Sequence, residues 1–224
     1  MTNIFSQDEV IKLLDAVDAA YATDKEESQE LNAEIRMDKF SREQIRAISL
    51  IHEKFAHIVN NSLSAQLRSK VNILVISMDQ LTMGDFFHTI PVPAALGIIN
   101  MEPFNGNAIL EIDPSVAFAI IDIVRGGKGE SIKQPRELTD KEKIILKGIY
   151  VCLSEYLKDA WSDSIDLQPR LDKIETDPRF IRIVPLTEGA VLVTLEAKIG
   201  NTEGMINFCI PYSVIEPISE KLSA

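Results

Sequence analysis

Three histidines, two cysteines and one glycine–lysine pair are the residues of this chain whose types could carry a metal site, a nucleophile or a phosphate loop. His52 and His57 are five apart in a helical stretch, so they point to different faces and do not form a ligand pair; the third, His88, has no such neighbour. Cys152 and Cys209 stand alone, without a C-x-x-C spacing or an evident histidine partner, which argues against a metal knuckle and a cysteine nucleophile. No G-x-S-x-G is present. A phosphate loop needs G-x-x-x-x-G-K followed by Ser or Thr after a strand; here Gly129 follows Lys128 and the preceding run is helical. The sequence therefore predicts no catalytic residue, no metal and no cofactor. What it offers instead is backbone. Arg125-Gly126-Gly127-Lys128-Gly129 puts three glycines in four residues, a stretch free to enter positive φ and lie flat against another surface. The plainer alternative is a helix cap followed by a turn.

Two similar units flank this loop. Ser41 with Gln44, and Thr139 with Glu142, each form a capping box that satisfies the free N–H groups of a new helix, and the two boxes are 98 residues apart. The apolar stripes pair at the same offset: Ile48 with Leu146, Ile51 with Ile149, Phe55 with Leu153, Val59 with Leu157, and Leu63 with Trp161. Gly106 and Gly204, Ile112 and Ile210, Ser115 and Ser213, Val116 and Val214 keep it further on. Val71–Met78 reads as a buried strand by its β-branched density. Pro91–Glu102 and Asn107–Ile112 read as a strand pair across an Asn105-Gly106 turn. Asp113-Pro114-Ser115 starts the helix that ends in the glycine loop. Each half thus reads helix, strand, strand hairpin, helix, which implies an α/β sandwich whose halves share one core.

The chain has 224 residues, 46% of them apolar, and a net charge of −11, of which −6 lies in residues 1–40. An acidic chain without a basic cluster is a poor nucleic-acid or anionic-lipid binder, so neither is expected as a partner. No run is long and apolar enough to span a bilayer, and unpaired cysteines fit a reducing compartment, so a cytoplasmic protein without membrane insertion is expected. Near the start, Ser6 and Glu9 form another capping box, and Val10, Leu13, Leu14 and Val17 repeat at helical spacing. Such a short amphipathic helix either docks on its own domain or folds into a partner's groove. The polar, acidic stretch that follows reads as a linker.

These stretches carry a resemblance. FSQDEVIKLL is similar to the tail motif Leu-Ser-Gln-Asp-Glu-Ile-Asp-Ala-Leu-Leu of the flagellar motor switch protein FliM family. The likeness continues through FSREQIRAISLIHEKFAHIVNNSLSAQLR, RGGKG, LTDKEK and TDPRFIRIVP to the GMINFCIPYSVIEPISEKLS close of the chain. Lys128 stands where many members have proline, and Ile11-Lys12 where they have Asp-Ala. The resemblance implies three segments: a regulator-binding segment over 1–20, a flexible acidic linker over 21–40, and over 41–224 a middle domain, a CheC-like three-layer α/β/α sandwich with a pseudo-twofold repeat. It implies a motor-switch component of the flagellar C-ring, at the cytoplasmic face of the inner membrane in the basal body. There it would bind phosphorylated CheY and couple it to FliG, controlling the direction of flagellar rotation in chemotaxis. Phe5, Ser6, Gln7, Asp8, Glu9, Val10, Leu13 and Leu14 would contact CheY; Arg125, Gly126, Gly127, Lys128 and Gly129 would contact FliG. Neighbouring FliM copies are further implied partners, as are FliN or FliY where a C-terminal FliN-like domain is present. The alternative is a CheC-like phosphatase of phosphorylated CheY, which uses a Glu and an Asn three residues apart on each paired helix. The matching positions here hold Leu50 and Glu53, then Gly148 and Val151, so a protein that is not an enzyme is expected.

Overall fold

In the computed structural model, which describes residues 39–131 and 136–223, the two long helices begin where the capping boxes place them. In chain order the elements are α1 (Arg42–Leu67), β1 (Val71–Thr82), α2 (Met83–Thr89), β2 (Ala95–Glu102), β3 (Asn107–Ile112), α3 (Pro114–Val124), α4 (Asp140–Trp161), β4 (Gln168–Glu175), β5 (Gly189–Ile199), β6 (Thr202–Pro211) and α5 (Tyr212–Ile215). Ser41 accepts from the Gln44 N–H and the Gln44 side chain accepts from the Ser41 N–H at 2.8 Å; Thr139 and Glu142 repeat the exchange, again with 2.8 Å for the return bond. Phe40, just before the first cap, is buried edge-on against Tyr212.

The six strands form one antiparallel sheet in the order β1-β5-β6-β3-β2-β4, and exchanging the two halves simply reverses that order. The register obeys the same symmetry. Leu110 pairs with Phe208, its own counterpart at the offset of 98, and Ile109↔Cys209 and Glu111↔Asn207 flank it as an exchanged couple. Away from the axis, Leu96↔Glu175 in one half answers Ser77↔Thr194 in the other. The halves also interlock. A Cβ on Gly106 would lie 2.8 Å from Val214, and one on Gly204 would lie 2.6 Å from Val116, so each hairpin admits the valine that opens the other half's helix. The repeat read in the sequence is thus a structural twofold with one shared core.

Strand alternation gives the sheet two covered faces. Helices α1, α3, α4 and α5 pack on one, over Ala95, Ile99, Leu110, Ile112, Val193, Phe208 and Ile210, with Phe55 and Trp161 as large buried anchors. On the other, Met83 and Phe86 of α2 join Ile181 over Leu96, Ile98, Ile109 and Cys209. The three layers are unequal, the second helical layer being a single short helix with a loop. Helix α2 went unread in the sequence although its Thr82–Asp85 box was there to see. It also breaks the twofold, because the equivalent stretch 181–187 is not helical.

Two expectations are corrected. Val71–Met78 is not a buried strand: β1 runs to Thr82 at the sheet edge, bulges between Val75 and Ser77, and leaves Leu74 and Ile76 50% and 53% exposed. An edge strand has no neighbour on one side, and the bulge turns side chains out of alternation. The strand expected from Pro91 begins at Ala95. Residues 1–20 and 21–38, and with them Phe5, Ser6, Gln7, Asp8, Glu9, Val10, Leu13 and Leu14, lie outside the described residues. Among the described residues no helix is long and apolar enough to cross a membrane, and no cluster of His, Cys, Asp and Glu could hold a metal.

Candidate functional site

Helix α3 starts on Asp113, whose carboxylate accepts from the Ser115 N–H at 2.7 Å, with Pro114 in the first turn. Its buried face, Val116 to Ile121, fixes the axis, so the glycine loop is delivered by a helix sunk in the core. The helix then closes as a Schellman motif: Gly127 N–H donates to the Asp122 carbonyl at 2.8 Å and Gly126 N–H to the Ile123 carbonyl at 2.9 Å. Gly126 takes φ +94° as the left-handed residue this motif needs.

The other two glycines answer to different constraints. Gly127 does not have a positive φ; a Cβ there would run into the Asp122 carboxylate. That carboxylate is itself committed, accepting from Gly129 N–H at 3.0 Å and Glu130 N–H at 3.1 Å. Gly129 (φ +81°) lies against the β5–β6 turn, where a Cβ on it would be 3.1 Å from the Gly200 Cα. The Thr202 hydroxyl donates to the Gly129 carbonyl at 2.9 Å and completes the staple. The plain reading of the glycines as a cap and turn therefore describes Gly126 and Gly127, while Gly129 is held as well by contacts distant in sequence.

This leaves an exposed crest on a hydrogen-bonded base. Arg125, Gly126, Gly127 and Lys128 are exposed, a Cβ on Gly126 would meet nothing within 4 Å, and Gly129 is buried beneath them. The structure thus brings all five predicted residues to one loop but divides them: four form the surface and the fifth anchors it. Neither Arg125 nor Lys128 has an ion-pair partner among the described residues. The chain leaving the loop is pinned in turn. Arg136 grips Glu142 through two bonds of 2.9 and 2.7 Å and lies over the Phe118 ring. That guanidinium, with the Thr139 cap, holds the Glu142 carboxyl down at about 2.

Asp122, Gly200 and Thr202 were missed from sequence. Asp122 is set under the loop by the last turn of α3, whereas Gly200 and Thr202 come from a hairpin about seventy residues away and are brought to the loop only by the tertiary fold. The other chemistry-bearing residues are placed elsewhere. His52 is fully buried in α1, donating from Nδ1 to the Ile48 carbonyl at 2.8 Å, and burial lowers its pKa to about 4. Cys209 is buried against Met83, and burial pushes its thiol well up. Leu50, Glu53, Gly148 and Val151 sit exposed on the two long helices.

A pseudo-twofold α/β sandwich that presents a stapled loop at its surface defines the class. The profile described as "Flagellar motor switch protein FliM" matches residues 41–224. The FliM of Treponema pallidum (strain Nichols) is 48% identical across 100% of this chain and 67% of its own length; that of Borreliella burgdorferi is 43% identical across 97% and 66%. The chain thus spans about two thirds of these relatives. A solved FliG–FliM complex from H. pylori superposes with a TM-score of 0.78 and 37% identity, covering 80% of this chain and 99% of that one. Thermotoga maritima FliY shares the fold, with a TM-score of 0.72 at 17% identity over 83% of this chain and 98% of that one. The chain belongs to the flagellar motor switch protein FliM family.

Proposed function

We propose that this chain is a switch component of the flagellar C-ring that binds phosphorylated CheY through residues 1–20 and passes that state to FliG through the crest Arg125–Lys128. In this reading residues 21–40 are the tether and 41–224 the ring-forming domain, packed beside neighbouring copies at the cytoplasmic face of the inner membrane. FliN or FliY join through a further C-terminal domain where one exists. The observation that carries the reading is the crest itself: exposed backbone held by hydrogen bonds beneath it and two cations without an ion pair among the described residues, in a domain 37% identical to the FliM of a FliG–FliM complex. A presented backbone with little freedom left to lose binds at a low ordering cost.

A phosphatase reading is not favoured. An asparagine that orients water is absent from both helix positions, which carry Leu50 with Glu53 and Gly148 with Val151. The reading is tested in two parts. A peptide of residues 1–20 should bind the activated regulator saturably, at micromolar affinity or about −8 kcal/mol, and no saturation removes the CheY half. Reversing the charge of the exposed Lys128 on the crest should weaken FliG capture; full capture by a folded Lys128→Glu protein removes the FliG half.

A further inference from the structure

Next to the loop, and sharing Gly200 and Thr202 with its contacts, a cleft of about 260 Å³ is lined by Lys70, Asn72, Lys198, Gly200, Asn201, Thr202 and Glu203. We infer that the partner-docking surface continues from the loop across the β5–β6 turn into this cleft, which takes a carboxylate-bearing segment of the same partner. The inference rests on the loop being the FliG-docking site.

Continuity comes first. Gly200 packs so closely that a Cβ on it would lie 2.7 Å from the Lys128 carbonyl oxygen, and its N–H donates to the Lys70 carbonyl at 3.2 Å. Loop, hairpin tip and the α1–β1 turn are therefore neighbours in space, joined by the Thr202 hydroxyl on one side of Gly200 and by its own N–H on the other. Chemistry comes second. The cleft presents an ammonium from Lys70 that has no ion-pair partner among the described residues, and carboxamides from Asn72 and Asn201 that donate. Its one acid, Glu203, is held by Lys198 at 3.2 Å, and Lys198 also reaches Glu196 at 3.8 Å. Lys70 is thus the cation left for a ligand. With Arg125 and Lys128 on the adjoining crest, three cations without an ion pair among the described residues stand beside one exposed acid, Glu130, in a chain whose net charge is −11. Charge of one sign arranged along a docking surface selects a partner of the other sign and speeds its approach.

The test is calorimetric titration of the chain with its cognate FliG at low and high salt, using wild type, Lys70→Glu, Lys70→Arg, Lys128→Glu on the crest, and Lys141→Glu as an exposed cation outside the cleft lining. Lys70→Glu should weaken binding about tenfold at low salt and less at high salt. Lys70→Arg and Lys141→Glu should bind as wild type, with thermal melts unchanged in all. Equal binding by Lys70→Glu, while Lys128→Glu loses affinity, overturns the cleft and leaves the loop reading standing. Equal weakening by Lys70→Glu and Lys141→Glu reduces the effect to net charge and also overturns it. Failure of wild type to bind FliG ends both.

Discussion

Gly127 lacks a side chain because of Asp122, and that makes the two residues one unit. The Asp122 carboxylate occupies the space a Cβ would need and accepts the N–H groups of Gly129 and Glu130. Gly127→Ala should therefore cost about 1–3 kcal/mol, the scale of displacing a hydrogen-bonded carboxylate. Asp122→Ala should cost a similar amount. The double variant should be more stable than the sum of the two losses, since the second change removes what the first collides with. Urea unfolding of the four proteins checks this, and strict additivity would refute the coupling. His52 makes a second prediction at the same scale. Its folded pKa of about 4 lies below the ordinary 6.5, so the unfolded chain takes up the proton first as pH falls. Stability is fully present above pH 6.5 and declines toward pH 4, by about 3 kcal/mol for this group. His52→Leu should flatten the part of the unfolding free energy lost between pH 6.5 and 5. An unchanged slope would mean the ring is charged in the fold. No sequence pattern marks this histidine, because its burial among Phe55, Trp161 and Phe208 is a tertiary fact.

The helix caps were the most legible elements. A capping box is written within four residues, so Ser41–Gln44 and Thr139–Glu142 could be read directly, and both helices start there. Strand β1 was misread for the opposite reason: β-branched density is the same for a central and an edge strand, and which strand ends the sheet is decided by pairing with β5 far along the chain. The loop's limits were legible from its glycines, but the reason for two of them was not. Thr139→Ala should destabilise by about 1 kcal/mol. The Arg136 grip is a further prediction. Hydrogen bonding to Arg136 is the main cause that depresses Glu142, so this carboxylate's stabilisation is present above pH 4.5 and is lost as pH falls toward 2. Arg136→Met should shift that loss up toward pH 4.5, visible as a raised carboxyl titration midpoint by NMR. A midpoint that stays near 2 would mean the Thr139 cap alone holds it.

At the scale of the whole molecule, the offset of 98 in the sequence becomes a sheet whose order, central register and interlocked glycines all obey one twofold. The departures from that symmetry are as informative. Helix α2 has no counterpart, and the glycine loop between the halves is stapled to the second half's hairpin through Thr202. A loop bonded to both halves would tie a partner that grips it to both of them. The most direct measurement is the affinity of cognate FliG for wild type and for an Arg125→Glu, Lys128→Glu double variant with matched thermal melts. Both side chains are exposed and unpaired among the described residues, so the variant should keep its fold. Saturable binding by wild type and a loss of about tenfold or more in the variant is the expected result; equal binding by both would contradict the crest as the docking site.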